Sequence, residues 1–148
     1  MTEADHVFVG NPKLNRDISL HNEVKEVPLL AAFVDEICEA LELDTLMTMQ
    51  INLALEEAVV NVMQYAYPAD THGHVHISVK AYEKFLYFII VDDGMPFDPT
   101  TFGDVDISQP AEERNIGGLG IHLVKQIMDS VNYERVDGQN VLTMRKNL

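Results

Sequence analysis

LALEEAVVNVMQYAYP, running from Leu53 to Pro68, decides how this chain is read. Its apolar residues recur with helical spacing, and Pro68 marks where the helix stops. At about 100° per residue, Met47, Ile51, Ala54, Leu55, Ala58, Val62 and Tyr65 share about 100° of arc, the width of a core-facing stripe. Gln50, Glu57, Asn61 and Gln64 gather within about 60° beside it, and Glu56 falls on neither stripe. A surface helix ordinarily carries a solvated stripe of this kind. Here Leu53, Val59, Val60 and Met63 are apolar too, so the helix makes contacts on several sides and its polar stripe lines a cleft. Glu57 and Asn61 are one turn apart and therefore neighbours. A carboxylate and a carboxamide oxygen are hard ligands suited to Mg²⁺. Alternatively, the carboxylate can accept a proton from water or a hydroxyl.

Outward from this helix, the chain reads as one domain. Residues 1–13 form an N-terminal extension and 14–148 the domain proper. LNRDISLH, residues 14–21, alternates weakly and predicts an edge strand. Pro28 suits the first turn of a helix, which continues over 29–43, and Asp44 or Thr45 caps the next. HVHISVKAY predicts a half-buried strand, and FLYFIIVDD one buried on both faces. From Gly94 to about Asn115 no periodicity shows, and a loop of about twenty residues is usually functional. GGLG then precedes a helix over 121–130, and two short strands, near 132–136 and 140–145, turn at DGQN. The order β-α-α-β-β-loop-α-β-β makes the fold class α+β. It is a two-layer α/β sandwich, a mixed, mostly antiparallel sheet covered by helices on one face.

Composition sets limits. The 148 residues carry a net charge of -14, with 47% apolar and 23% charged residues. A chain so acidic does not find DNA or an anionic membrane electrostatically, so neither nucleic acid nor membrane is an expected partner. No stretch reaches the roughly 18 apolar residues of a membrane span, and no leader is visible. The single cysteine, Cys38, excludes an internal disulfide, fits a reducing cytoplasm and reads as a small buried hydrophobe. His72, His74 and His76 alternate in a row that raises Zn²⁺, but no Cys or acidic cluster completes a site, and an exposed face is the plainer reading.

Two further motifs follow the helix. In VDDGMPFDP, residues 91–99, an apolar strand ends at Asp92, and Gly94 lets the backbone turn. A carboxylate there can accept a hydrogen bond from the amino group of a flat heterocycle, although a plain Asp-Gly turn looks the same. In RNIGGLGIHLVKQIMD, residues 114–129, glycines stand before a helix whose N-terminus favours anions. The stretch is neither a P-loop nor a dinucleotide fingerprint.

In this order the three motifs resemble the gyrase, histidine-kinase and MutL ATPase superfamily, the Bergerat fold. Its Glu-x-x-x-Asn helix is matched by Glu57–Asn61, its Asp-x-Gly by Asp92-Asp93-Gly94, and its glycine-rich lid by GGLG. Within it, the chain is most similar to bacterial anti-sigma factor serine/threonine kinases, through Ala66-Tyr67, Pro96-Phe97-Asp98, and Gly-Gly-x-Gly-Ile before Leu123-Val124 and Met128-Asp129. The resemblance implies ATP and Mg²⁺ as cofactors. Asn61 would hold Mg²⁺ against the phosphates, and Glu57 would be the general base toward a serine hydroxyl. Asp92 would bind the adenine amino group with Gly94 beside the ring. Gly117, Gly118, Leu119 and Gly120 would present backbone to the phosphates. Arg114 would stabilise charge developing during transfer. Many relatives have His where this chain has Tyr65, whose place on the wheel favours packing in the core.

The resemblance further implies a protein kinase that binds a sigma factor and phosphorylates an anti-anti-sigma antagonist, as a homodimer helped by the N-terminal strand and helix. The alternatives are a non-catalytic ATP-binding module that sequesters a regulator, and a detached histidine-kinase catalytic domain.

Overall fold

Strict alternation in HVHISVKA turns Val75, Ile77, Val79 and Ala81 to one side of a strand, and all four are buried. This strand, β2 (His74–Ala81), is one of five in the computed structural model, which describes residues 10–101 and 116–148. The others are β1 (Leu14–His21), β3 (Phe85–Asp92), β4 (Ser130–Val136) and β5 (Gln139–Asn147), in the spatial order β1-β2-β3-β5-β4. A short 3-10 turn (Val24–Glu26) leads into α1 (Val27–Ala40) and then α2 (Thr45–Tyr65); α3 (Ile116–Ile127) lies between β3 and β4 in sequence. The α+β sandwich and its element order are those expected. All four strand pairings are antiparallel, where a mixed, mostly antiparallel sheet was expected. β4 runs the same way as β3, but β5 takes the place between them and keeps the two apart.

Register builds the core in rows across the sheet. Ile18, Ile77, Ile90, Leu142 and Tyr133 stand in one row; Arg16, Val79, Phe88, Met144 and Val131 in the next. Leu30, Val34 and Ile37 of α1, Ile51, Leu55 and Val59 of α2, and Ile121 and Val124 of α3 join the same apolar cluster. Each such fully buried side chain stabilises by roughly 1.5–3 kcal/mol. At the end of the sheet the row Leu20–Val75–Asp92–Asn140–Arg135 turns polar from Asp92 onward.

Local signals place the boundaries. Asp44 has extended backbone, and its Oδ1 accepts the Met47 N–H at 2.8 Å, a cap worth about 1 kcal/mol. Pro28 occupies the first turn of α1. Asp137 and Gly138, with φ of 50° and 81°, make the two-residue turn of the last hairpin, which needs left-handed backbone at both positions. Cys38 is buried, and burial raises its thiol pKa.

α3 begins at Ile116, so GGLG lies in its opening turns rather than in a loop ahead of it. Residues 1–9, most of the expected extension, and 102–115, most of the expected loop, lie outside the described residues. No helix among the described residues is long and apolar enough to cross a membrane.

Candidate functional site

α2 carries Glu57 and Asn61 toward α3. Asn61 is 3% exposed, and its Nδ2 has no hydrogen-bond partner among the described residues. Glu57 is half-buried and Glu56 exposed, as the helical wheel predicts. Val59 and Met63 are buried on the other sides of the helix, whereas Leu53 is 38% exposed, so the several-sided packing falls off toward its N-terminal half. α3 crosses this polar stripe at Gly120. A Cβ built there would fall inside contact distance of Glu57 Oε2 and 3.6 Å from Asn61 Nδ2. Glycine at this position leaves room for the Glu57 carboxylate between the two helices.

A buried amide with an unused donor costs stability unless a ligand takes it up. Asn61 and Glu57 supply hard oxygen donors, and the amide beside them has a donor without a partner among the described residues, so this corner fits a phosphate-bound Mg²⁺. Gly117, Gly118 and Leu119 share the opening turns of α3 with Gly120. Arg114 lies outside the described residues.

Asp92 ends β3 and is 3% exposed. Its Oδ1 accepts the Gly94 N–H and Asn140 Nδ2–H, both at 2.9 Å. Burial raises its pKa above the ordinary carboxylate value, against the opposing pull of Asn140, the Gly94 N–H and the Arg135 charge. Gly94 packs on the C-terminal end of α2: a Cβ would collide with the Ala66 carbonyl, the same oxygen that accepts the Met95 N–H at 2.8 Å. The Asp92–Gly94 turn is thereby fastened to the helix that bears Glu57 and Asn61.

Three residues of this corner escape a reading by motif. Asn140, 4% exposed, stands on β5 opposite Asp92 of β3. Its Oδ1 accepts from Tyr133 Oη at 2.5 Å, Arg135 Nη1 at 3.1 Å and the Phe97 N–H at 3.2 Å. Arg135 also donates to the Gly94 carbonyl at 2.9 Å. The available signal was the polar residue opening an apolar strand in GQNVLTM, although its partner stands 48 positions earlier. Tyr67 is a fourth support. Its hydroxyl accepts the Asp93 N–H at 3.2 Å, and its proton is shared between the His74 carbonyl and Asp93 Oδ1. Burial and the Asp93 carboxylate push its pKa up.

Tyr65, expected in the core, is half-buried and stacks on Phe97 with ring centroids 5.7 Å apart. Its ring therefore leans toward the Asp-x-Gly turn rather than the sheet. Two members of the histidine row have protein partners. His76 lies 3.2 Å from Asp17 Oδ2 and 2.8 Å from Ser19 Oγ, and His74 packs on His21. No group of three or more His, Cys, Asp or Glu among the described residues could hold a metal ion.

α2 thus carries the other two motif segments, the GGLG turn beside Glu57 and Asn61 and the Asp92–Gly94 turn at its C-terminal end. Comparison with known proteins gives the same arrangement a lineage. The chain is 36% identical over 102 residues to the serine-protein kinase RsbW of Halalkalibacterium halodurans, covering 66% of this chain and 61% of that one. It is 32% identical over 95 residues to the serine-protein kinase RsbW of Bacillus subtilis, covering 62% and 59%. The match spans about three fifths of the length of these curated relatives. A crystal structure of the RsbU and RsbW domains of Rv1364c from Mycobacterium tuberculosis shares the fold, with a TM-score of 0.65, 14% identity, and coverage of 91% of this chain and 32% of that one. Residues 20–146 match the histidine kinase-like ATPase domain, and the chain belongs to that family.

Proposed function

We propose that this chain is an ATP-dependent protein serine kinase that acts as an anti-sigma factor. It would phosphorylate an anti-anti-sigma antagonist and so regulate transcription by partner switching in the cytoplasm. The observation that carries the reading is the meeting of Glu57, Asn61 and Gly120 at the crossing of α2 and α3. The similarity to two kinases named RsbW supports the choice of reaction.

In this reading Asp92 accepts a hydrogen bond from the adenine amino group, with Gly94 beside the ring, and the opening turns of α3, Gly117 to Gly120, face the phosphates. A helix N-terminus favours negative charge there. Mg²⁺ held through Asn61 would neutralise charge on the phosphates. Glu57, confined by Gly120, takes the proton from an incoming serine hydroxyl. Arg114 is assigned to charge developing on the transferred group. A phosphoserine on the antagonist adds about two negative charges, and this chain's net charge of -14 makes the product a poorer partner than the substrate. The sigma factor then rebinds the freed surface. We further propose that the active species is a homodimer.

The test is Glu57→Gln. Lost phosphoryl transfer with ATP binding intact supports the base; unchanged transfer removes Glu57 from the mechanism. Intact binding with no transfer in the native chain would leave the alternative, a non-catalytic ATP-binding module that sequesters a regulator.

A further inference from the structure

Asn140 is the most heavily bonded side chain at the base end of the proposed nucleotide site. Its orientation is not open to reversal. Arg135 Nη1 and the Phe97 N–H can only donate, so the atom they meet is the amide oxygen. The Met95 carbonyl can only accept, and it takes Asn140 Nδ2–H at 2.9 Å, so the atom facing it is the amide nitrogen. The same nitrogen therefore donates to Asp92 Oδ1, which already accepts the Gly94 N–H. A carboxylate oxygen has two lone-pair directions. Two donors already occupy it, so any further bond to that oxygen is shared and long.

We infer that Asn140 is a specificity-determining residue. Together with the Gly94 N–H it occupies Asp92 Oδ1, leaves Oδ2 as the better acceptor offered to a bound base, and so favours adenine over guanine. The inference rests on the ATP reading given above. Adenine presents one amino group beside a ring-nitrogen acceptor, and a single oxygen suffices for it. Guanine presents an N–H and an amino group side by side, and these pair with both oxygens of a free carboxylate. An Asp with both oxygens open would accept guanine in that two-bond geometry. Asn140, held by Tyr133, Arg135 and the Phe97 N–H, withdraws one oxygen from the contest. It reaches the Met95–Phe97 turn as well, so the amide fixes the carboxylate and the backbone next to the base together.

The experiment is calorimetry of ADP and GDP on the full chain and three variants: Asn140→Leu, Asn140→Thr and Asn140→Ala. The native chain should prefer ADP. In Asn140→Leu, which is close in size and cannot donate, the ADP-to-GDP affinity ratio should fall by about tenfold, the scale of one hydrogen bond to a charged group. Asn140→Thr keeps a hydroxyl that can donate to Asp92, and should retain most of the preference. A merely structural role would weaken both nucleotides alike and leave the ratio unmoved. A folded Asn140→Leu chain with an unchanged ratio would overturn the inference. Should that variant not fold, Asn140→Ala decides: it also removes the donor to Asp92 Oδ1, and an unchanged ratio there overturns the inference equally. A native chain that binds neither nucleotide would defeat the ATP reading itself.

Discussion

Gly120 on α3 faces Glu57 on α2 with no room between them for a methyl group. The obstructing atom, Glu57 Oε2, is the far end of a half-buried, flexible side chain. A methyl group at position 120 therefore displaces the carboxylate and leaves the helix packing in place. Alanine also favours a helix over glycine by about 1 kcal/mol. Gly120→Ala should keep or slightly raise the thermal midpoint, while phosphoryl transfer to a serine substrate falls at least about tenfold, the scale of a misplaced general base. Transfer at the native rate would show that Glu57 does not act from this position.

Gly94 meets the opposite situation. A Cβ there runs into the Ala66 carbonyl, backbone that cannot swing aside. Gly94→Ala has to push the Asp92–Gly94 turn off the end of α2 and break the Met95 N–H bond to the same oxygen. It should cost about 2–3 kcal/mol, as overpacking does, read from the denaturant midpoint in urea. A midpoint unchanged from the native chain would show that the turn is not anchored on Ala66.

The contrast between these glycines bears on what the sequence disclosed. Val75, Ile77, Val79 and Ala81 announce β2 by alternation, and Asp44 announces the start of α2 by its cap. That Glu57 and Asn61 lie side by side was legible because the helical repeat makes residues four apart neighbours. GGLG was misplaced because glycine's low helix propensity is a local rule, and here contact between α2 and α3 overrides it. Tyr65 lay on the wheel's apolar arc, but the ring of Phe97, far along the chain, draws it to the arc's edge. Asn140 was invisible because its meaning is a register: Asp92 and Arg135 become its neighbours only once β3, β4 and β5 pair.

Asp92 trades stability for its proposed role. Burial raises its folded pKa, so the folded chain binds a proton more readily than the unfolded chain. The sign follows from linkage: stability falls as pH rises through the interval between the unfolded and the folded pKa, and the penalty persists above it. Asn at this position accepts the Gly94 and Asn140 donors on its oxygen and carries no charge. Asp92→Asn should therefore be more stable than the native chain near neutral pH. The advantage should vanish as pH drops below the ordinary Asp range, seen in thermal midpoints across pH. ATP binding should be lost in the same variant, because an amide nitrogen would face the adenine amino group. An advantage that grows on acidification would mean the carboxylate is stabilised in its charged form.

Asn61 presents the same conflict in a form that separates cofactor from fold. Its Nδ2 is buried without a partner among the described residues, an arrangement that costs stability when no ligand is bound. Replacing it by Leu, of similar volume, removes that cost and adds apolar contact with α3, where Gly120 leaves space only at ordinary contact distance. Asn61→Leu should leave the unfolding free energy within about 1 kcal/mol of the native value, or above it. If the amide oxygen holds Mg²⁺ against the phosphates, ATP affinity with Mg²⁺ present should fall at least about tenfold, the loss of one ligand or bridging hydrogen bond to charge. Affinity measured in excess chelator should barely change. Parallel losses with and without Mg²⁺ would instead assign Asn61 to direct contact with the nucleotide. A loss of fold would show that the amide is satisfied in solution by something the protein itself retains.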